Sequence, residues 1–235
     1  MKLRTLIILF FSNFLSAQTG LLNAEKPGDI SNNLVSENTD ILNYFEIEEN
    51  DVLWSKVVYE YIDLNEKINF PLLFPTSDDK NIIGRKSLWR ILKEYIKSNV
   101  TNNPKDSLNS IEIYSTGDFT KKLTNSEVID LMSYEQVSRR LNTTKNIFVE
   151  SNQIGGYKIK GMWYFDKRQS EMKYRLLGIM PSGNVRNKEG EIQETDLFWI
   201  WYPSIREILH KEMVFNDKSN ANRISFDQLL ISRRF

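Results

Sequence analysis

The clearest pattern in the chain is an alternation of residues with a period of two, which is typical of β-strands. It runs from 157 to 165 and resumes from 172 to 176, and the polar stretch 166–171 between them is suited to a turn. The two segments therefore predict an antiparallel hairpin. On its first strand one face carries Tyr157, Ile159, Trp163 and Phe165, and the other carries Lys158, Lys160, Met162 and Tyr164.

Two further segments predict strands. The run 197–202 is apolar on both faces, which is typical of a strand in the middle of a sheet. Ile111, Ile113 and Tyr114 indicate a short strand. We therefore expect a sheet that contains the hairpin together with these two segments.

Apolar residues at helical spacing predict three helices. Two adjacent rows of residues four positions apart, between about 50 and 63, predict a first helix with a wide buried face. A second helix fits 86–97, and a third ends near Met213 after Pro203. The rows of the first helix are Leu53, Val57 and Tyr61, and Trp54, Val58 and Ile62.

Capping boxes mark two more helix starts. In this motif a hydroxyl residue is followed three positions later by Glu or Gln, and the two residues bond each other's backbone N–H groups. Thr124 and Glu127 have this spacing, as do Ser225 and Gln228. The second pair predicts a last helix through Leu230.

The remaining segments complete the outline of the fold. Pro71 and Pro75 flank apolar residues and predict an extended stretch. The polar segment 99–109 predicts a surface loop, and 143–150 fits either a loop or a strand. Helices that flank a mainly antiparallel sheet define the α+β class, which we expect to form one compact domain over 46–235.

The first residues have the plan of a secretory signal peptide. Lys2 and Arg4 provide positive charge, the apolar run 6–11 follows, and Ser16 and Ala17 are small enough for cleavage. This apolar core is much shorter than the roughly 20 residues that span a bilayer. We therefore predict that 1–17 is a cleaved signal peptide, with an uncleaved membrane anchor as the alternative, and that no membrane insertion follows cleavage.

The segment 18–45 is predicted to be a flexible leader. From Gln18 to about Asn38 it is rich in Asn, Ser, Glu and Gly and has few large apolar residues. Such a composition cannot bury enough apolar surface to order itself. The leader is then either a spacer or an arm that becomes ordered on a neighbouring subunit.

The composition excludes several kinds of site. The 235-residue chain has no cysteine, which excludes disulfides, thiolate metal sites, a thiol nucleophile and the lipid-bearing cysteine of a bacterial lipoprotein. Lys and Arg number 31 and so do Asp and Glu, and removal of Lys2 and Arg4 leaves 29 against 31. This balance gives no indication of a nucleic-acid partner or an anionic lipid surface.

Candidates for catalysis and metal binding are few. His210 is the only histidine and is predicted to be a surface or half-buried helix residue, not a general base. Zinc sites built from several histidines or cysteines therefore cannot be assembled from one chain. Carboxylate pairs such as Asp78 and Asp79 are more consistent with solvated charge than with calcium ligands. The sequence therefore predicts no catalytic residue, no cofactor and no metal.

Several sequence blocks occur together in an order that resembles a known family. They are DVLWSK (51–56), IDLNEKINFPLLFPT (62–76), GDFTKKL (117–123), GMWYFDKRQSEMKYRLLGIMP (161–181), PSIREIL (203–209) and NRISFDQLL (222–230). The combination resembles GldN, also called PorN, of the type IX secretion and gliding machinery of Bacteroidota. It covers about 51–235, with two departures: the sequence stops at Phe235 where a polar tail is expected, and Asn65 stands in place of an arginine.

The resemblance implies a non-catalytic structural subunit of the periplasm. Such a subunit joins a GldK-like (PorK-like) outer-membrane lipoprotein in a ring, contacts the periplasmic part of the GldL and GldM (PorL and PorM) motor, and associates with copies of itself. It is required for secretion across the outer membrane and for gliding. The absence of a lipid-accepting cysteine fits a subunit that partners hold at the inner face of the outer membrane.

Four residues of the predicted hairpin are candidates for a partner interface. They lie at its tip or on its second face, and they are Tyr164, Asp166, Lys167 and Arg168. In contrast, we expect Trp54, Trp163 and Phe165 to pack mainly in the core.

Two alternatives to an assembly protein are open. In the first, the aromatic residues of 157–165 and 198–202 line a pocket in a periplasmic ligand-binding module. In the second, the protein is a hydrolase whose site no motif reveals. A small ligand that stabilises the isolated domain would favour the first alternative.

Overall fold

The computed structural model describes residues 41, 47–78, 85–102, 111–138, 143–186, 192–214 and 224–235. The predicted signal peptide at 1–17 lies outside the described residues. So do the predicted leader at 18–45, except Ile41, and most of the predicted loop at 99–109. Among the helices that are described, none is both long and apolar enough to cross a bilayer.

An antiparallel sheet carries most of the described strands. Its strand order is β1-β5-β6-β8-β2, and β7 pairs with β6. β3 and β4 form a separate two-stranded hairpin. The strands are β1 (Val52–Asp63), β2 (Ile113–Tyr114), β3 (Ser133–Ser138), β4 (Thr143–Phe148), β5 (Ile154–Asp166), β6 (Glu171–Arg186), β7 (Ile192–Asp196) and β8 (Trp199–Trp201).

Short helices accompany the sheet, so the predicted α+β class is confirmed. The described helices are α1 (Phe70–Leu73), α2 (Leu88–Asn102), α3 (Asn125–Met132), α4 (Arg206–Lys211) and α5 (Phe226–Ile231). Four of them, α2 to α5, lie where helical spacing or a capping box predicted a helix. Both capping boxes are present, at the starts of α3 and α5.

The predicted strands are also found. β5 and β6 form the hairpin and pair from Ile154↔Gly183 to Asp166↔Glu171. β8 is a central strand because it pairs with β6 on one side and with β2, the predicted short strand, on the other. The ambiguous segment 143–150 contains β4.

β1 corrects the helix predicted for residues 50–63. Residues four positions apart share a face in a strand as well as in a helix, because four is a multiple of the strand period. The composition decides between them, since VLWSKVVYEYID is rich in the β-branched and aromatic residues that favour strands. β1 pairs with β5 from Val52↔Asp166 to Asp63↔Gly156.

The segment around Pro71 corrects a second prediction. Instead of an extended stretch, a 3₁₀ turn at Lys67–Asn69 leads directly into α1. Pro71 lies in the first turn of α1, where a backbone N–H has no partner within the helix. A proline at this position is compatible with a helix, so Pro71 does not prevent α1, which ends at Leu73.

The core combines residues of the sheet with residues of the helices. Ile62, Ile159 and Ile179 contribute from the sheet, and Trp89 and Phe226 contribute from α2 and α5. His210 is also buried, with 8% of its surface exposed, whereas the sequence predicted a surface or half-buried side chain. The adjacent Leu209 of the same helix, α4, belongs to the hydrophobic core, so this part of the helix lies against the core.

Candidate interaction surface

The turn of the β5–β6 hairpin is organised around the carboxylate of Asp166. This carboxylate accepts a hydrogen bond from the backbone N–H of Arg168 at 3.0 Å, and it lies 3.4 Å from both the Arg168 Nε and the Lys173 Nζ. Burial raises the pKa of Asp166, but the bonds from Arg168 and Lys173 outweigh it and leave the pKa below its ordinary value. The ionised carboxylate therefore stabilises this conformation of the turn.

The turn is also tied to the start of β1. The backbone N–H of Lys167 donates to the carbonyl of Asp51 at 3.0 Å, and the Lys167 ammonium donates to the carbonyl of Asn50. The Nε of Arg168 lies 3.1 Å from the Asp51 carboxylate. More than a hundred residues separate these groups in sequence, so no local pattern indicates the contact.

The four interface candidates divide into two pairs. Lys167 and Arg168 are exposed at the hairpin tip, as expected. Tyr164 and Asp166 are buried, with 3% and 1% of their surface exposed, which corrects the expectation that they face a partner. Tyr164 does lie on the second face, but the guanidinium of Arg175 lies over its ring, 5.8 Å from the centroid, and helps to cover it.

β1, which begins next to the tip, exposes large apolar side chains that were expected on a buried helix face. Ile62 is the only β1 residue that is fully buried. Trp54, which we expected in the core, pairs with Phe165 of β5, and Phe165 pairs with the exposed Met172 of β6. We call the exposed set the β1 surface: Leu53 (71% exposed), Trp54 (48%), Val57 (45%), Tyr59 (59%), Tyr61 (48%) and Met172 (49%).

A loop from the GDFTKKL block covers part of the second sheet face. Phe119 has a left-handed backbone conformation, φ 59°, and its ring packs on Trp201 with centroids 4.9 Å apart. The Lys160 ammonium lies 4.8 Å from the Phe119 centroid and donates to the Gly117 carbonyl at 2.5 Å. Gly178 makes this packing possible, because a Cβ there would lie 2.6 Å from the Phe119 ring.

The aromatic residues that could line a pocket are largely used in the core. Tyr157, Phe198 and Tyr202 each have 0% of their surface exposed and belong to the main hydrophobic cluster. Trp163 is half-buried and packs on Tyr174, with ring centroids 5.1 Å apart. These contacts are those of core packing rather than of an open binding site.

A buried polar cluster holds the groups that a hydrolase would need. Ser151 Oγ lies 2.5 Å from Asp78 Oδ1 and 2.6 Å from Ser87 Oγ, and Lys93 pairs with Asp78 and donates to the Val149 carbonyl at 3.0 Å. Asp78 is therefore paired and mostly buried, which corrects the prediction that its charge is solvated. Both serines are 1% exposed, so the cluster fastens the start of α2 to the segment before β5.

In the part of the chain that the structure describes, side chains that could bind a metal ion do not cluster. No three His, Asp or Glu side chains there are arranged so that they could hold an ion. The exposed features are instead the hairpin tip, where Lys167 and Arg168 lie beside the Asp51 carboxylate, and the β1 surface. Val57, Tyr59 and Tyr61 lie on one face of the sheet, and Trp54 and Met172 lie on the other. Exposed large apolar side chains of this kind are typical of a protein that acts through contacts with other macromolecules.

Comparison with known families gives this class a more specific identity. Residues 47–235 match the model of the family described as gliding motility associated protein GldN. The chain belongs to the GldN family, which confirms the resemblance, and it is therefore a component of the gliding-motility and type IX secretion machinery. A comparison with curated proteins gave no match.

Proposed function

We propose that this protein is a non-catalytic structural subunit of the type IX secretion system. It forms a periplasmic ring with a GldK/PorK-like lipoprotein at the inner face of the outer membrane, and it is required for secretion and gliding. The observation that carries this proposal is the family match over 47–235. The predicted signal peptide supports an exported subunit, and the absence of cysteine supports one that is attached to the membrane through a partner.

The hairpin tip is the proposed contact for a partner within this machinery. Lys167 and Arg168 present two cations there, and Asp51 and Asp166 hold the surrounding backbone in place. A preorganised surface loses little conformational freedom when a partner binds, which favours affinity. The partner is the lipoprotein or the periplasmic part of the GldL–GldM motor.

Deletion of the gene tests the proposed role in the cell. We expect cargo proteins to be retained and gliding to be lost, and a chromosomal copy of the full chain should restore both. The measurement is the secreted proteome, together with colony spreading where the strain glides. A normal secretome in the deletion strain would contradict the proposal.

Affinity capture from detergent-solubilised envelopes tests the hairpin tip. Lys167→Ala/Arg168→Ala should lower recovery of the lipoprotein, and a tenfold loss would correspond to about 1.4 kcal/mol of binding free energy. The matched control is Lys211→Ala/Arg234→Ala, which also removes one lysine and one arginine from exposed positions. Equal recovery with both variants would remove the tip from the interface. Recovery of only a monodisperse monomer from wild-type envelopes would contradict the ring.

A further inference from the structure

Among the described residues, β1 lies at one edge of the sheet and its outer side carries no paired strand. Its inner side pairs with β5 along the whole strand. Edge strands of monomeric proteins are usually short, or carry prolines, bulges or central charges that block pairing. β1 has 12 residues and no proline, and its one irregularity lies at its start, between Val52 and Trp54. Its two central charged residues, Lys56 and Glu60, have opposite signs.

The side chains of β1 give this edge a self-complementary pattern. Lys56 and Glu60 have opposite charges and lie two residues before and two residues after Val58. The exposed Val57 and Tyr59 lie directly before and after Val58. Residues at equal distances from a centre face each other when a strand pairs antiparallel with its own copy. Centred on Val58, such a pair overlaps over 53–63, which is all but one residue of β1.

We propose that β1 is the docking edge for β1 of a second copy of this chain, paired antiparallel about a two-fold axis at Val58. Lys56 of each copy then lies opposite Glu60 of the other, and Val57 of each copy lies opposite Tyr59 of the other. The two-fold axis therefore produces two pairs of each kind. Opposite charges and apolar pairs directly across an antiparallel ladder both stabilise it. The sheet continues across the two copies, and main-chain hydrogen bonds join them as in other strand additions.

Charge complementarity selects both the occupant and the register. A shift of two residues in either direction places Lys56 opposite Val58 or Ile62, so both ion pairs are lost. Glu60 is already held in place, because Arg233 donates to its two carboxylate oxygens at 2.8 and 2.9 Å. Its carboxylate is about one-third exposed and can accept a further cation at the edge.

The pairing extends the proposed function without depending on the lipoprotein. A two-fold contact uses the same surface on both copies and closes at two. A larger ring therefore needs a second, different contact between the pairs. Self-association of the purified protein and capture of the lipoprotein are separate measurements, so either can fail while the other succeeds.

The first test introduces charged residues at Val57 and Tyr59, which face each other across the proposed contact, in the purified full-length mature chain. Val57→Lys/Tyr59→Lys places lysines opposite lysines, and Val57→Glu/Tyr59→Glu places glutamates opposite glutamates. We expect light scattering to show a dimer for the wild type and a monomer for each variant alone. Mixing the two variants should restore a dimer, which a folding defect could not do.

The second test uses the absence of cysteine, since any disulfide-linked dimer must form at an introduced residue. Val58→Cys lies opposite itself at the two-fold axis and should cross-link under mild oxidation. Ser55→Cys is the matched control on the same strand, because its copy lies six residues away along the ladder, roughly 20 Å. It should remain largely uncross-linked.

Three results would overturn the proposal. They are a monomeric wild type, a mixture of charge variants that stays monomeric, and equal cross-linking at positions 55 and 58. If the wild type is monomeric and the β1 variants lose the lipoprotein in affinity capture, the edge belongs to that partner and not to a second copy.

Discussion

The buried carboxylate of Asp227 offers the sharpest test of what holds this fold together. Asp227 is fully buried in the first turn of α5. It accepts hydrogen bonds from the Tyr202 hydroxyl at 2.9 Å and from Arg206 Nε and Nη2 at 3.1 and 3.0 Å. The group thereby joins α5 to α4 and to the 3₁₀ turn Tyr202–Ile205 that follows the central strand β8.

Asp227→Asn should destabilise the protein strongly, because it leaves the buried Arg206 guanidinium without its counter-charge. Loss of one partner of a buried pair costs about 3–5 kcal/mol. At roughly 2–4 °C per kcal/mol for a chain of this size, the Tm falls by about 6–20 °C. Tyr202→Phe removes one hydrogen bond from the same group and should cost only about 1 kcal/mol.

Urea and thermal unfolding of the purified variants measure these differences. The control is Lys211→Gln in α4, which breaks the exposed pair with Glu207 and should leave the unfolding midpoint nearly unchanged. Arg206→Met/Asp227→Leu removes both charges and should recover most of the stability lost in Asp227→Asn. The reasoning is refuted if Asp227→Asn costs less than about 1 kcal/mol, or if the double variant is as unstable as the single one.

Three further predictions can be checked with the same unfolding assays. Thr124→Ala removes the cap of α3 and should cost about 1 kcal/mol, whereas an unchanged midpoint would deny the capping box a role. Gly178→Ala forces a Cβ against the Phe119 ring and should cost about 1–3 kcal/mol, with a change in Trp201 fluorescence. Because the pKa of Asp166 is lowered, its contribution to stability is complete near neutral pH and disappears as the pH falls through that pKa. The stability difference from Asp166→Asn should therefore shrink in acid, and a constant difference would contradict the assignment.

Local patterns predicted the elements whose signals are themselves local. The capping boxes at Thr124 and Ser225 placed two helix starts, because the bonding partners lie three residues apart. The alternation from 157 to 176 predicted the hairpin, because a period of two is itself a local signal, and β5 and β6 pair there. β1 was mistaken for a helix because a spacing of four satisfies both periods, and only its composition distinguishes them.

The candidate interaction surface was predictable only in part. The hairpin tip was indicated by a polar turn between alternating segments, and Lys167 and Arg168 are exposed there. The pattern could not show that Arg175 would cover Tyr164, or that Trp54 would be exposed. The burial of Tyr164 and the exposure of Trp54 both depend on which side chains from neighbouring strands pack over them, and the local sequence pattern does not contain this information.

The sequence by itself determined the α+β class, the hairpin, the positions of four helices and the family. These follow from residue periodicity, from caps closed within one turn, and from blocks of sequence retained in order. Only the tertiary structure decided that β1 lies at one edge of the described sheet, that its apolar residues are exposed, and that Asp227 is paired with Arg206. The physical reason is that burial and ion pairing depend on groups far apart in the chain, which only the packing of the sheet and helices brings together.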